Sequence, residues 1–379
     1  MHRPLVVVSG GGTGGHLYPA LAIADALRDR RPDVRVIFVG ARKGIEATVL
    51  PQRGEAHLLL PVHGVDRSRP LTSWRAVTGL LSGLVRVGRL FQRERPDVVV
   101  VTGGYAGAAA GIVAGLMGVP LVLQEQNSFP GAVTKLLTRF AARVHVAYPE
   151  AIDRLPVARE RCVVSGNPVR ARSEKSRSEA RDAFGVPEEV KLTLVTGGSQ
   201  GSLALNRAVT AYVQGVEAEE LTRASLMHLL WATGRKHFDA VDAALSALER
   251  PDWVHALPYV EDMPGAMAAS DIALCRAGAM TIAELLNEGL PSILVPLPTS
   301  AEDHQMYNAR ALEAAGAARV VPESELTPAR LAVELKSASS GTELLASMRA
   351  AARERARPEA TSVIARDVAT FLPPLRRAA

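Results

Sequence analysis

The sequence predicts an α/β chain of two similar parallel-sheet domains, and three observations carry that prediction. Short Val/Leu/Ile-rich runs alternate with longer helical patterns. The runs lack the apolar/polar alternation of a half-exposed sheet, so their strands are buried on both faces and covered by helices. The series also occurs twice, and each begins with a strand that enters a glycine loop: Leu5 to Val8 into Ser9-Gly10-Gly11-Gly12-Thr13-Gly14-Gly15-His16, and Lys191 to Thr196 into Gly197-Gly198-Ser199-Gln200-Gly201.

Length and composition agree with this. At 379 residues the chain exceeds most single cores, and 47% hydrophobic with 22% charged residues suits a folded protein with a substantial interior. The net charge of +5 favours acidic partners such as phosphates or anionic lipid. No aromatic-basic RNA module is present, so nucleic acid is not an expected partner. Cys162 and Cys275 have neither metal-ligand spacing nor the density of a disulfide scaffold, which makes a reduced, cytosolic compartment the default. Leu5 to Val8 is too short for the apolar core of a secretion signal.

In the first glycine loop the backbone can bring N–H groups against a phosphate, and the following helix, patterned from about Pro19, favours the anion with its positive end. Gly10, Gly12 and Gly15 match G-x-G-x-x-G, which by itself suggests a nicotinamide dinucleotide. The second strand, Val34 to Val39, runs into Gly40, Ala41 and Arg42 without the carboxylate that would hold a ribose, which argues against that ligand. Strands follow at Ala56 to Leu60, Val98 to Thr102, Leu121 to Gln124, Val144 to Ala147 and Arg161 to Ser165.

Two stretches bear on membranes. Ala106 to Leu123 carries 18 residues without charge, but its glycines and Pro120 divide it into an Ala/Gly-rich helix, a turn and a strand. Leu71 to Arg95 is amphipathic, with Trp74, Val77, Leu81 and Leu84 among arginines 75, 86, 89, 93 and 95. Such a segment either lies in an anionic lipid interface or packs on its own sheet with solvated arginines outside.

The charged run Arg172 to Arg181 marks the domain boundary, after Gly166-Asn167-Pro168-Val169-Arg170. Domains of 1–168 and 169–357 follow. Further strands are expected at Leu226 to Ala232, Val254 to Leu257, Ile272 to Cys275, Ser292 to Val295 and Ala318 to Val321, with a helical tail from Leu331. Two such domains, each with a phosphate-sized loop after its first strand, imply a ligand held in a cleft between them.

The ordered set of motifs is highly specific. Gly11 to His16, Gly103-Gly104-Tyr105, Glu125-Gln126-Asn127, Gly166 to Arg170, Gly197 to Gly201, Cys275 to Glu284, and His304-Gln305 with Asn308-Ala309 together resemble the bacterial N-acetylglucosaminyltransferases that form lipid II. The resemblance covers nearly the whole chain. It departs in detail at Ser202 and Ala277, where alanine and serine are common in the family.

This resemblance implies a GT-B fold of two Rossmann-like domains, with the tail 358–379 crossing back to the first. It implies UDP-N-acetylglucosamine as donor, the undecaprenyl-pyrophosphoryl-N-acetylmuramoyl-pentapeptide lipid I as acceptor, and inversion to a β-1,4 bond. The protein would act at the cytoplasmic face of the membrane as a peripheral protein, touching anionic lipid through 71–95, with other cell-wall and division proteins as further partners. No cofactor is implied.

Inverting transfer needs a base for the acceptor hydroxyl and stabilisation of the departing diphosphate. No Asp-x-Asp is present to hold a divalent cation, so no metal is expected, and a helix N-terminus at Gly278-Ala279-Met280-Thr281 can take the diphosphate instead, with Ser199 adding a hydroxyl. By resemblance Glu284 accepts from the ribose hydroxyls, Val260 meets the uracil through its backbone, and Ile282 and Ala283 belong to the same donor helix. Arg170 reaches the donor diphosphate or base, and Gln305 touches sugar hydroxyls with an amide that both donates and accepts. Read without the family, Glu284 is equally a solvated first-turn residue. Arg170 and Gln305 have the same bland alternative.

Asn127, a further donor-binding candidate, and Glu125 emerge at the carboxyl end of the first sheet. His16 and Glu125 are the catalytic candidates. His16 is either the base or a phosphate and acceptor ligand. Gly103, Gly104, Tyr105 and Gly107, with the first loop, would hold the acceptor pyrophosphate, while Thr13, Gly14 and Gly15 also approach the donor.

Overall fold

The computed structural model describes residues 3–62, 73–170, 172–221 and 227–374. Leu71, Leu226, the side chains of Trp74 and Arg75, and the last five residues lie outside the described residues. The chain forms two compact units, residues 1–169 with 358–379, and residues 170–357.

The first unit runs β1 (Leu5–Gly10), α1 (Gly14–Arg30), β2 (Arg35–Ala41), α2 (Glu46–Gln52), β3 (His57–Leu60), α3 (Ser73–Glu94), β4 (Val98–Gly103), α4 (Gly104–Met117), β5 (Leu121–Glu125), α5 (Ala132–Leu137), β6 (Ala141–Val146) and β7 (Cys162–Val164). The second runs α6 (Arg177–Phe184), β8 (Lys191–Thr196), α7 (Leu203–Glu217), β9 (Met227–Ala232), α8 (Phe238–Ser246), β10 (Val254–Leu257), α9 (Met263–Ala269), β11 (Ile272–Cys275), α10 (Ala279–Glu288), β12 (Ser292–Leu294), α11 (His304–Ala314), β13 (Ala318–Val320), α12 (Pro328–Ser340) and α13 (Thr342–Arg355). The last helix, α14 (Ala360–Ala369), belongs to the first unit.

All strand pairs are parallel, and the sheets have the orders β3-β2-β1-β4-β5-β6-β7 and β10-β9-β8-β11-β12-β13. In each unit the chain leaves the first strand to one side and later returns on the other. A crevice therefore opens at the carboxyl ends of β1 and β4, and of β8 and β11, the topological switch points where doubly wound sheets bind ligands.

The first unit has a core on each face of its sheet. On one face α3 and α4 pack through Val87, Phe91, Ala109 and Val113 against Val7, Val99 and Leu123. On the other, α1 and α14 bury Leu17, Ile23, Ile364 and Val368 against Val6, Val8 and Val100. Below α14 the fully buried His145 Nε2 meets Asp367 Oδ2 at 2.9 Å, with the Arg143 guanidinium at 3.3 Å. The hydrogen bond from His145, with the Arg143 guanidinium beside it, holds the Asp367 carboxyl below the usual range.

One expectation needs correction and two gain detail. Helix α1 begins at Gly14, not near Pro19, which sits inside it and is buried. The first turn is held instead by Thr13 O, which accepts from His16 N–H and Leu17 N–H, both at 3.2 Å. The run Arg172 to Arg181, expected to mark the domain boundary, lies just inside the second unit, and α6 starts within it on a capping box of Ser176 and Glu179. Arg181 is fully buried, donating to Ala269 O, Pro187 O, Glu188 O, Val190 O and Asp271, so a guanidinium does the work of an apolar anchor. Finally, α3 packs an inner apolar face on its own sheet, as one of the two readings of that segment expects, and leaves Val77, Leu81 and Val85 more than half exposed.

Among the described residues no helix is long and apolar enough to cross a membrane. The uncharged 106–123 stretch divides at Gly118, whose φ of 68° closes α4 before β5.

Candidate functional site

In the first unit, two loops meet at the switch point. Gly10 pairs with Gly103 across β1 and β4, after a register shift at Ser9. A side chain at Gly104 would overlap the carbonyl of Gly11, so backbone packs on backbone, and Gly104 has φ +78°. The His16 ring lies against Gly103, where an added Cβ would stand 2.9 Å from Cδ2. Thr102 Oγ1 donates to His16 O at 2.7 Å, and Gln126 Nε2 donates to Thr102 O at 2.7 Å. Gln124 and Gln126 bond each other and Asn167, whose Nδ2 donates to Gln126 O at 3.0 Å. The structure thus brings together His16, Gly103, Gly104 and the buried amides behind them, while Thr13, Gly15 and Tyr105 are exposed at the surface and Gly14 is half-buried. Gly107 is buried beneath Val101, where a side chain would collide.

Glu125 does not face the solvent. It is buried, accepts from Asn127 N–H (3.0 Å), Gly131 N–H (3.1 Å), Thr134 Oγ1 (2.5 Å) and more weakly from Asn127 Nδ2 (3.3 Å), and ties down the 126–134 loop. With both oxygens engaged, it has no lone pair directed at a reacting hydroxyl.

A residue that sequence reasoning missed is Glu46. Its carboxylate is fully buried at the end of β2, accepting from Gly12 N–H at 2.9 and 3.0 Å and from Ala41 N–H at 2.6 Å. The end of β2 therefore does carry a carboxylate, supplied from the first turn of α2 and turned toward the glycine loop. Nothing in the local spacing announces it, because Glu46 lies in a run that reads as an ordinary surface helix.

In the second unit, the loop after β8 carries Gly198 (φ +84°) and Gly201 (φ +73°), with Ser199 exposed. At Gly201 a side chain would strike Thr233 O. Ser202 caps α7 by accepting from Leu205 N–H at 3.4 Å and also receives Arg276 Nε at 3.1 Å. Arg276 continues to Val295 O and Pro296 O and pairs with Glu323, binding four chain segments at the carboxyl end of the sheet. Beyond β11, helix α10 begins behind Gly278, an N-cap with no side chain to satisfy the first-turn N–H groups. The positive end of the helix dipole is thereby presented at Ala279, Met280 and Thr281, all half-buried.

Glu284 lies one turn along the same helix, its side chain 22% exposed and 3.8 Å from Arg170 Nε. Burial pushes its carboxyl above the usual range, against the opposing pull of Arg170. Gln305 turns its carbonyl inward to Leu297 N–H at 3.0 Å, so the amide nitrogen is the end it can offer. Asn308, fully buried, donates to Ala277 O at 3.5 Å and fastens α11 beneath the loop.

One donor-site candidate stands apart. Ile282 is fully buried with its N–H bonded to Gly278 O at 2.9 Å, so neither its side chain nor its amide reaches a ligand. Val260 also points its side chain into the interior, leaving only its backbone, and Ala283 is half-buried within the helix. Cys275 is fully buried, which pushes its thiol up to about 12 and makes it an apolar filler rather than a nucleophile. Among the described residues no cluster of three or more His, Cys, Asp or Glu side chains could hold a metal ion.

Comparison with known proteins agrees with this geometry. Residues 6–146 match the glycosyltransferase family 28 N-terminal domain and residues 192–364 its C-terminal domain. A relative from Salinibacter ruber, the UDP-N-acetylglucosamine–N-acetylmuramyl-(pentapeptide) pyrophosphoryl-undecaprenol N-acetylglucosamine transferase, is 41% identical over 96% of each chain. The crystal structure of Acinetobacter baumannii MurG superposes with a TM-score of 0.77 at 25% identity, covering 97% of this chain and 99% of that one. A Listeria monocytogenes protein described as a UDP-N-acetylglucosamine 2-epimerase shares the fold, with a TM-score of 0.66 at 14% identity over 96% of this chain and 94% of its own. With both halves matched and a relative this similar along nearly its full length, the chain is a GT-B protein and belongs to glycosyltransferase family 28.

Proposed function

We propose that this chain transfers N-acetylglucosamine from UDP-N-acetylglucosamine to the C4 hydroxyl of the N-acetylmuramyl group of a pentapeptide-bearing pyrophosphoryl-undecaprenol, with inversion. The relatives named for this reaction support it, and the observation that carries it is the donor end of the second unit. There a helix N-terminus behind a glycine N-cap, a glycine loop with Ser199 and the desolvated Glu284 lie at one switch point. Diphosphate charge is met by the N–H groups and dipole of α10, with Ser199 and Arg170 adding donors. Glu284, ionised, accepts from the ribose hydroxyls, and Gln305 offers its amide to the sugar. Val260 contacts the base through its main chain.

The first unit takes the acceptor. Its pyrophosphate sits at the first turn of α1, Gly14 and Gly15, and beside Gly103 to Tyr105. His16 then removes the proton of the attacking hydroxyl as the sugar leaves UDP. Glu125 is assigned a positioning role, holding Asn127 and its loop. No divalent cation is needed to neutralise the leaving diphosphate, since the helix terminus supplies that field.

The membrane-bound acceptor gives the outer face of α3 a purpose. Val77, Leu81 and Val85 are more than half exposed beside arginines 86, 89 and 93, and Leu116 and Met117 are exposed at the end of the adjoining α4. This face lies on the anionic cytoplasmic leaflet.

A 2-epimerase shares the fold, and product analysis separates the two. Radiolabelled UDP-N-acetylglucosamine should pass its sugar to a lipid I analogue, whereas release of UDP and free sugar without lipid product would refute the transferase reading.

A further inference from the structure

We propose that Glu46 is a positioning residue of the transfer reaction: a built-in anion that fixes the Gly12 peptide and so sets where the first loop presents the start of α1 and His16. The inference rests on the acceptor role given above to the first unit.

Glu46 is fully buried, and among the described residues no cation pairs with it. A carboxylate in that position is tolerable only when backbone donors replace its water. Here both oxygens accept from Gly12 N–H and one also from Ala41 N–H.

Three glycines follow from the same side chain: Gly11 after β1, Gly40 within β2 and Gly44 in the connection to α2. A Cβ at Gly11, Gly40 or Gly44 would overlap Glu46, so these positions leave room for the carboxylate and its stem. Gly12 is different. Its Cβ direction is open, but its φ of +93° is the left-handed-side geometry that turns its N–H back to Glu46.

The consequence runs along the chain. Gly12 leads into Thr13, the N-cap of α1, and His16 stands three residues on with its ring against Gly103. Gly11 O is meanwhile held against Gly104. Glu46 thus braces the loop from behind while the β4 loop braces it in front. It also occupies the Gly12 N–H that a phosphate cradle would use, so this loop is distinct from one in which every glycine N–H faces the ligand. Anion recognition falls to the first turn of α1.

The test uses the full-length protein carrying Glu46→Gln, which keeps the size but sets an amide N–H₂ against one of two backbone N–H donors. Transfer to a lipid I analogue is measured at saturating UDP-N-acetylglucosamine, and UDP binding is measured by calorimetry. We expect kcat/KM for the acceptor to fall by about tenfold or more, with the Kd for UDP changed by less than about twofold. Gly11→Ala should damage acceptor use in the wild-type background. It should add less than about threefold in a Glu46→Ala background, where the colliding carboxylate is gone.

An acceptor kcat/KM within about twofold of wild type in Glu46→Gln would overturn the proposal, as would an additive Gly11→Ala effect. Parallel loss of UDP binding and turnover would also overturn it, since the residue would then support only the fold. If the wild type itself transfers no sugar to the lipid, the functional reading falls first and this inference with it.

Discussion

Replacing Glu284 by Gln probes the donor site with little change in shape. The carboxylate is 22% exposed, with Arg170 3.8 Å away and itself more than half exposed, so the ion pair contributes little on its own. What the substitution removes is one charged acceptor facing a ribose hydroxyl, worth about 1.5–3 kcal/mol. UDP affinity should therefore fall by about 10- to 150-fold. The pH dependence gives a second check. Because burial holds the folded carboxyl above its ordinary range, protonation begins at a higher pH than for an exposed glutamate. Wild-type UDP affinity should weaken more steeply as pH falls than that of the Gln variant, in which only the terminal phosphate of UDP, with a second pKa of about 6, still titrates. Titration calorimetry from pH 8 down to about pH 5 measures both effects. A Kd within about twofold of wild type, or the same pH profile in both proteins, would refute the ribose assignment.

His16→Ala should lower kcat by about 10²- to 10⁴-fold while UDP binding stays unchanged, as checked by steady-state transfer and calorimetry; near-normal turnover would remove His16 as base. Asp367→Asn should destabilise the first unit by about 1–3 kcal/mol at neutral pH, since it breaks the His145 and Arg143 contacts under α14. The Asp367 carboxyl is held below its unfolded value, so its contribution is present above that unfolded value and is lost as pH falls through the folded one. Thermal melts should accordingly show the variant converging on wild type in acid. Leu81→Asp with Val85→Asp should abolish binding to vesicles containing anionic lipid while leaving transfer to a short-chain soluble acceptor intact, as followed by vesicle sedimentation.

Much of the fold could be read from local pattern, because buried parallel strands are apolar on both faces and glycine punctuates their ends. Ala106 to Leu123 shows this well: its lack of charge suits a membrane span, but Gly118 and Pro120 disclose the turn between α4 and β5. Two of the residues misjudged share one physical cause. Arg181 and Glu46 are charged residues satisfied by backbone carbonyls and amides brought from distant parts of the chain. Composition marks such residues as exposed, and only the assembled backbone shows them buried. The same applies to Glu125, whose place at the end of β5 suggested chemistry but whose four hydrogen bonds commit it to its own loop. Ile282 was drawn into the donor site by position on α10, yet helical periodicity turns it to the core. By contrast the start of a helix behind Gly278, with Thr281 in its first turn and Glu284 one turn along, was legible in the sequence, because a glycine N-cap fixes where α10 begins.

The most direct measurement is transfer of radiolabelled N-acetylglucosamine from its UDP ester to a lipid I analogue, run with excess chelator. The account predicts label in a lipid product joined through a β-1,4 bond, at a rate that chelation leaves unchanged. Free labelled sugar with no lipid product, or activity abolished by chelator and restored by a divalent cation, would contradict it.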